Sequence, residues 1–242
     1  MRACVWIVLL LCGLLPLSSS AAEPVFKEGE HYQVVPKPEK FPAHDKIEVL
    51  EFFWYGCPHC YQFESDIAPW LAHKPEEVTF RRVPHNMGRS AGDMHELGYH
   101  IAENLGIVKR IHPEMFKAIH DHKQAMDSIS DICSLFVKFG GVTDEQCHAA
   151  AEDEEVKHAS DFDDFLIRRY GVVNVPTLVV DGRYLSNAVM AGGTSKLIQV
   201  LDFLIAKQKV ERNIHMTLPD DEPLVTAPPK APKALSRPPA PF

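Results

Sequence analysis

The 242-residue chain lacks most of the features that would place it among membrane, nucleic-acid-binding or disulfide-built proteins. Past the first two dozen residues it has no long apolar run, so no hydrophobic membrane span is expected there. It has no basic cluster, and 25 Lys and Arg stand against 33 Asp and Glu for a formal charge of −8, which argues against nucleic acid as a partner. No internal repeat is present. Cysteine is scarce: of six, Cys4 and Cys12 lie in the N-terminal apolar stretch, leaving Cys57, Cys60, Cys133 and Cys147. Four cysteines cannot scaffold a chain of this length, so the fold must rest on an apolar core and the thiols are free for other work.

What is there begins with "MRACVWIVLLLCGLLPLSSSAAEP", one Arg, an apolar run from Val5 to about Leu17, and small residues ending at Ala22. That order is a secretory signal peptide, and its run is short for a bilayer span. Cleavage after Ala22 removes Arg2, makes the formal charge −9, and leaves a soluble exported protein of residues 23–242. Cys12 follows Leu11, where a lipoprotein site needs a small residue, so lipidation is disfavoured.

Beyond the leader, strands and helices alternate around a helical middle. "IEVLEFFWY" from Ile47 reads as a buried strand, and "PHCYQFESDIAPWLAHK" as a helix with Pro58 at its first position. "VTFRRVP" reads as a second central strand. From Met87 to about Ser160 the pattern is helical in four segments, "GDMHELGYHIAENLG", "HPEMFKAIHDHK", "SISDICSLFVKFGG" and "TDEQCHAAAEDEEVKHAS". Gly140-Gly141 closes one helix, and Thr143 with Gln146 makes a capping box for the next. "DFDDFLIRRYG" is a further helix, and "VPTLVVDGRYLS" a hairpin turning at Asp181-Gly182. "TSKLIQVLDFLIAKQKV" closes the fold as an amphipathic helix with Leu197, Val200, Leu201, Leu204 and Ile205 on one face. The division expected is a leader at 1–22, an α/β domain in two parts at 23–86 and 161–216, a helical insertion domain at 87–160, and a Pro-rich disordered tail at 217–242. Docking of the tail as a polyproline helix is the alternative to a plain linker.

The chemistry concentrates in Cys57-Pro58-His59-Cys60, between the first long strand and its helix. Cys57 falls at the helix N-cap, where unpaired N–H groups and the helix dipole favour a thiolate. Pro58 forfeits an N–H that needs no partner there, His59 can add positive charge, and Cys60 sits one turn in to close a small ring. A helix end supplies at most about 2 kcal/mol, or roughly one and a half pKa units, and each unit below ambient pH makes the disulfide about 30 mV more oxidising. A strongly oxidising pair therefore needs backbone N–H bonds and His59 as well. A purely structural disulfide over two residues constrains little chain. Zinc would need a second ligand pair, and Cys133 and Cys147 lack the spacing.

Pro176, in "GVVNVPTLVVDG", opens an apparent strand. The residues leave two readings: a strand-entry proline in trans, or a cis Val175-Pro176 bond at the active site whose neighbouring backbone pairs with an incoming peptide.

"LEFFWYGCPHCYQFE" resembles the active-site segment of the DsbA family of bacterial periplasmic thiol:disulfide oxidoreductases, and "GVVNVPTLVVDGRY" resembles its cis-proline segment. The helical insertion and closing helix also fit, over roughly residues 28 to 212. The resemblance implies an α/β thioredoxin fold interrupted by a helical insertion domain, with Cys57 the exposed nucleophilic sulfur, Cys60 buried, and Val175-Pro176 touching substrate. It aligns Glu51 with an acidic residue beneath the active site that sits near a lysine in the family. Arg82 is the nearest match to that lysine and a departure from it, because Arg does not give up its proton. Glu51 is expected to be paired or to have a raised pKa, the alternative being an edge-strand carboxylate in water.

The same resemblance implies a monomeric periplasmic dithiol oxidase with no organic cofactor, only the redox-active Cys57-Cys60 disulfide. Its substrates would be reduced, unfolded exported proteins, and its oxidant a DsbB-like quinone-linked inner-membrane partner. An isomerase or reductase is the nearest rival, although isomerases resembling this fold carry an N-terminal dimerisation domain and only about 25 residues separate the leader from the first strand here. A noncatalytic metal- or peptide-binding module is the rival of another class. Cys133 and Cys147, on successive helices in an oxidising compartment, are expected to form a structural disulfide, with two buried thiols as the alternative. His95, His100, His112, His120, His122, His148 and His158 are scattered through the insert without a coherent ligand set; solvated helix faces are expected, and no metal.

Overall fold

The computed structural model describes residues 25–36 and 46–217, so the leader at 1–22 and the Pro-rich stretch beyond Thr217 lie outside the described residues. The organising element is Ile47–Phe53 (β2), buried along its length except at half-buried Glu48, as a run apolar on both faces requires. With Gln33–Val34 (β1), Val78–Pro84 (β3), Thr177–Val180 (β4) and Tyr184–Asn187 (β5) it forms a sheet of order β1-β5-β4-β2-β3. Only the β2/β3 pair is parallel. β3, expected in the centre, lies at the edge and pairs with β2 alone. The margin suits it: Thr79 is exposed, and Arg81 and Arg82 keep their guanidinium groups half-buried.

Helices cover both faces. Pro58–His73 (α1) and Thr194–Thr217 (α8) press Phe63, Ile67, Leu197, Val200, Leu201, Leu204 and Ile205 onto Val49, Leu178 and Val180. The opposite face, with Leu50, Phe52 and Val179, receives Leu166 and Tyr170 from Glu154–Tyr170 (α6). Between β3 and α6 lie Ser90–Asn104 (α2), Val108–His120 (α3), Ile129–Gly140 (α4) and Asp144–Ala151 (α5); the short Ala188–Ala191 (α7) precedes α8. The insert has its own core, including Ile101, Ile111, Met115, Phe116, Ile132 and Phe136, continuous with Phe53, Tyr55 and the two cysteines of the strand–helix junction.

Local signals account for most boundaries. Thr143 and Gln146 make the reciprocal capping box, and Gly141 ends α4 at φ 70°. The hairpin turns through Asp181 and Gly182, at φ 56° and 62°. One boundary differs from expectation: "AEDEEVKHAS" does not continue the helix of Cys147. The chain breaks after Ala151, and the Asp153 carboxylate accepts from the N–H groups of Glu155 and Val156, starting α6. α6 then runs unbroken across the 160/161 boundary, tying the insert to the sheet. Among the described residues no helix is long and apolar enough to cross a membrane.

Candidate redox site

β2 delivers the chain into a tight turn in which the Cys57 N–H donates to the Trp54 carbonyl at 3.0 Å. A Cβ on Gly56 would stand 2.3 Å from the Trp54 ring, so any larger residue there would force that ring to move. Cys57 is the extended N-cap of α1, with φ −88° and ψ 118°, and its carbonyl accepts from the Tyr61 N–H. Pro58 takes the next position, and Pro58 and His59 are exposed.

The two cysteines, both free thiols in this structure, differ in environment. Cys57 reaches the surface at 9% exposure, whereas Cys60 is fully buried. A hydrogen bond from the Cys60 thiol is the largest influence on Cys57. With the N–H groups of Cys60 and His59 and the His59 charge, it outweighs burial and holds Cys57 down to about 6. Burial, then the hydrogen bond to Cys57, pushes Cys60 well up. One sulfur is therefore an ionised nucleophile and good leaving group near neutral pH, and the other keeps its proton.

Facing Cys57 is the segment before β4. The Val175–Pro176 peptide bond is cis, Pro176 is buried, and the Cys57 sulfur lies 3.5 Å from the Val175 carbonyl, to which it donates when protonated. The two segments, 118 residues apart, meet because β2 and β4 are hydrogen-bonded neighbours.

Glu51 is fully buried on β2 under this junction. Burial pushes its carboxyl up, against the opposing attraction of Arg82, whose Nε is 3.0 Å from Oε2 without hydrogen-bond alignment. Arg82 Nη2 also donates to both oxygens of Glu64 on α1, at 3.0 and 3.2 Å. Burial disfavours the Glu64 carboxylate, but His112 and Arg82 outweigh it and hold its pKa low. His112, driven down to about 4 by burial, is neutral. With Glu64 ionised, Nε2–H must donate to Glu64 at 3.1 Å, and Nδ1 accepts from the Tyr55 hydroxyl at 2.8 Å. A polar chain thus runs Glu51–Arg82–Glu64–His112–Tyr55 beneath the cysteines. The sequence does not single out Glu64 and Tyr55, and it places His112 only among the histidines expected on solvated helix faces. Glu64 follows Cys60 by one helical turn, a readable signal, but nothing local announces His112, which arrives from α3.

In the insert, Cys133 on α4 and Cys147 on α5 form a disulfide with a Cα–Cα distance of 5.6 Å. The expectation of solvated histidines is corrected for three: His95, His100 and His112 are buried. Each has a polar partner, His95 the Ala125 carbonyl, His100 the carboxylates of Glu103 and Asp163, and His112 those named above. Half-buried His120 bonds the Tyr55 carbonyl and stacks on Tyr61, while His122, His148 and His158 are exposed. The helices are amphipathic enough to suggest a wet face, but histidine sits on the inner one wherever a buried acceptor waits.

A family model described as Thioredoxin matches residues 44–200. The chain is 33% identical over 201 residues to the thiol:disulfide interchange protein DsbA of Pseudomonas syringae pv. tomato, covering 83% of this chain and 92% of that one. It is 31% identical over 205 residues to the DsbA of Pseudomonas aeruginosa, covering 83% and 96%. A crystal structure of the Pseudomonas aeruginosa DsbA superposes with a TM-score of 0.72 at 30% identity, covering 78% of this chain and 97% of that one. The oxidoreductase DsbA from Xylella fastidiosa gives 0.71 at 28% identity, covering 77% and 100%.

Proposed function

The chain belongs to the DsbA family of thiol:disulfide interchange proteins, and from that premise we propose that Cys57 and Cys60 are the pair through which it introduces disulfides into exported proteins. The observation that carries this reading is the asymmetry of the two sulfurs, an ionisable Cys57 at a helix N-terminus and a protonated Cys60 buried behind it.

In the oxidised protein a substrate thiolate attacks the Cys57 sulfur. The Cys57–Cys60 bond breaks, the electron pair leaves on Cys60, and a mixed disulfide forms at Cys57. The substrate's second thiolate then attacks its own sulfur in that mixed disulfide. Cys57 departs as a thiolate, the substrate keeps a disulfide, and two electrons have passed to the enzyme, with one proton taken up on Cys60 and the other of the two substrate thiol protons released to solvent. The helix end, the adjoining N–H groups and His59 make Cys57 the good leaving group and stabilise the reduced product, which favours oxidation of substrate over its reduction. A pKa about one unit below neutral pH contributes roughly 30 mV in the oxidising direction.

Val175 and Pro176 are the residues proposed to hold the substrate strand beside Cys57, with Pro58 shaping the helix start. Glu51 is proposed as the buried carboxyl that exchanges a proton with Cys60, held in place by Arg82 where the family has lysine. Cys133–Cys147 is assigned a structural role. We assign the protein to the periplasm after signal cleavage, as a monomer needing no organic cofactor. A DsbB-like quinone-linked membrane oxidase would regenerate the disulfide, and reduced unfolded exported proteins would be the substrates.

The test is the reduction potential of the Cys57–Cys60 couple in glutathione buffers, with Cys133–Cys147 intact. A value well above the roughly −270 mV of thioredoxin supports the oxidase. A value near or below it would make this a reductase.

A further inference from the structure

Away from the cysteines, α2 and α6 bury a group of side chains that the thiol chemistry does not use. Glu96 and His100 lie four residues apart on one face of α2, and Asp163 meets them from α6; all three are buried. One donor atom from each lies within 4.8 Å of the other two. His100 Nε2 is 2.9 Å from Asp163 Oδ2, and His100 Nδ1 is 3.1 Å from Glu103 Oε2. Glu96 is only 4% exposed, yet its Oε1 has no hydrogen-bond partner among the described residues. Glu96 and His100 also border a cavity of about 220 Å³, whose wall includes Asn86, Asp93 and Asp164.

We propose that Glu96, His100 and Asp163 form a site for one divalent cation of the zinc class, which would clamp α2 to α6. The donor set suits it: zinc accepts imidazole nitrogen and carboxylate oxygen at about 2.0–2.2 Å, so a tetrahedral site asks its ligand atoms to stand roughly 3.3 Å apart. Glu103 supplies the outer carboxylate that fixes a metal-bound imidazole through its second nitrogen. The cavity leaves room for a water as fourth ligand. A cation would also give a partner to the buried Glu96 Oε1, which has none among the described residues. The other grouping of this kind, Cys133 with Asp144 and His148, is closed to metal because Cys133 is bridged. The site is independent of the thiol chemistry proposed above.

The probe is zinc chloride, titrated calorimetrically into the untagged mature chain, residues 23–242, with Cys57–Cys60 oxidised and Cys133–Cys147 bridged, so that no thiolate competes. Expected are one zinc per chain, a raised melting temperature, and an X-ray absorption spectrum showing nitrogen and oxygen donors without sulfur. Glu96→Gln keeps the side-chain shape and is expected to weaken binding at least about tenfold. Glu103→Gln, at a partly exposed position, is expected to weaken it by about tenfold through His100. Failure to bind one equivalent, or binding unchanged in both variants, overturns the proposal. So does binding abolished by His158→Ala, which would place the ion on the exposed Glu154–His158–Asp161 cluster instead.

Discussion

The molecule holds two cysteine pairs in surroundings that could hardly differ more. Cys57 and Cys60 share the first turn of one helix, next to a polar chain of Glu51, Arg82, Glu64 and His112, and differ in burial and ionisation. Cys133 and Cys147 join two consecutive helices, are both fully buried, and lie 14 residues apart within the apolar core of the insert. Under the proposed function, the same chemical group is a reagent in one place and a staple in the other. What separates them is the N–H groups at a helix start, the uneven exposure of the partners, and the length of chain the bond closes.

The largest effect that would break this comparison comes from Cys57→Ser. It should reduce oxidation of a reduced test peptide on the order of 10³-fold or more, since no other accessible thiolate remains. Cys60→Ser should instead leave the attacked partner attached, seen by mass spectrometry as a mixed-disulfide adduct at Cys57. If Cys60→Ser rather than Cys57→Ser abolished adduct formation, the assignment of the two sulfurs would be reversed.

Replacing Cys133 and Cys147 together by Ala should cost ~3 kcal/mol of unfolding free energy, as for a closed loop of about fifteen residues. The Cys57–Cys60 potential should move by less than about 10 mV. A potential that fell in step with stability would mean that the pairs are coupled through the insert.

Glu51 sharpens the contrast, because the active end spends stability where the insert gains it. Its pKa in the fold, raised by burial to about 7, lies above the unfolded value of about 4.3. Ionised Glu51 therefore destabilises the fold, by nothing below about pH 4 and increasingly as pH rises through 7. Glu51→Gln leaves Arg82 paired with Glu64 and should raise stability by ~1–2 kcal/mol at pH 8, with no gain at pH 4. Denaturant titrations at the two pH values check this; a loss at pH 8 would show that the Arg82 pairing outweighs burial.

His59 has the smallest expected effect. Its charge is the last of the influences holding Cys57 down. His59→Leu should raise the Cys57 pKa by no more than about one unit, read from the pH dependence of alkylation, and lower the potential by at most ~30 mV. An unchanged potential would leave the backbone N–H groups and the Cys60 thiol as the whole cause.

Much of this was legible in the sequence because it is written locally. The strand of Ile47, the helix starting at Pro58, the Thr143 box and the turn at Asp181-Gly182 each depend on residues within one or two turns of themselves. The misjudged features depend on distant chain. β3 reads as central because Val78, Phe80 and Val83 are apolar, and only the sheet order shows that among the described residues nothing pairs with its outer side. The break before α6 turns on Asp153 outcompeting a run of good helix formers. His112 and Glu96 look like ordinary polar positions until α1 and α6 bring Glu64 and Asp163 against them.

The ladder between β2 and β4, from Val49↔Val180 to Phe52↔Thr177, acts as a ruler. It sets the gap between Cys57 and the Val175 carbonyl over one hydrogen-bonded strand spacing, whatever the 118 residues between them do. The loops of that stretch are thus free to lengthen, shorten or change sequence in other lineages without re-tuning the reactive gap, provided the four paired rungs keep their register. Length and sequence in that stretch can change while the spacing of the two segments stays constant.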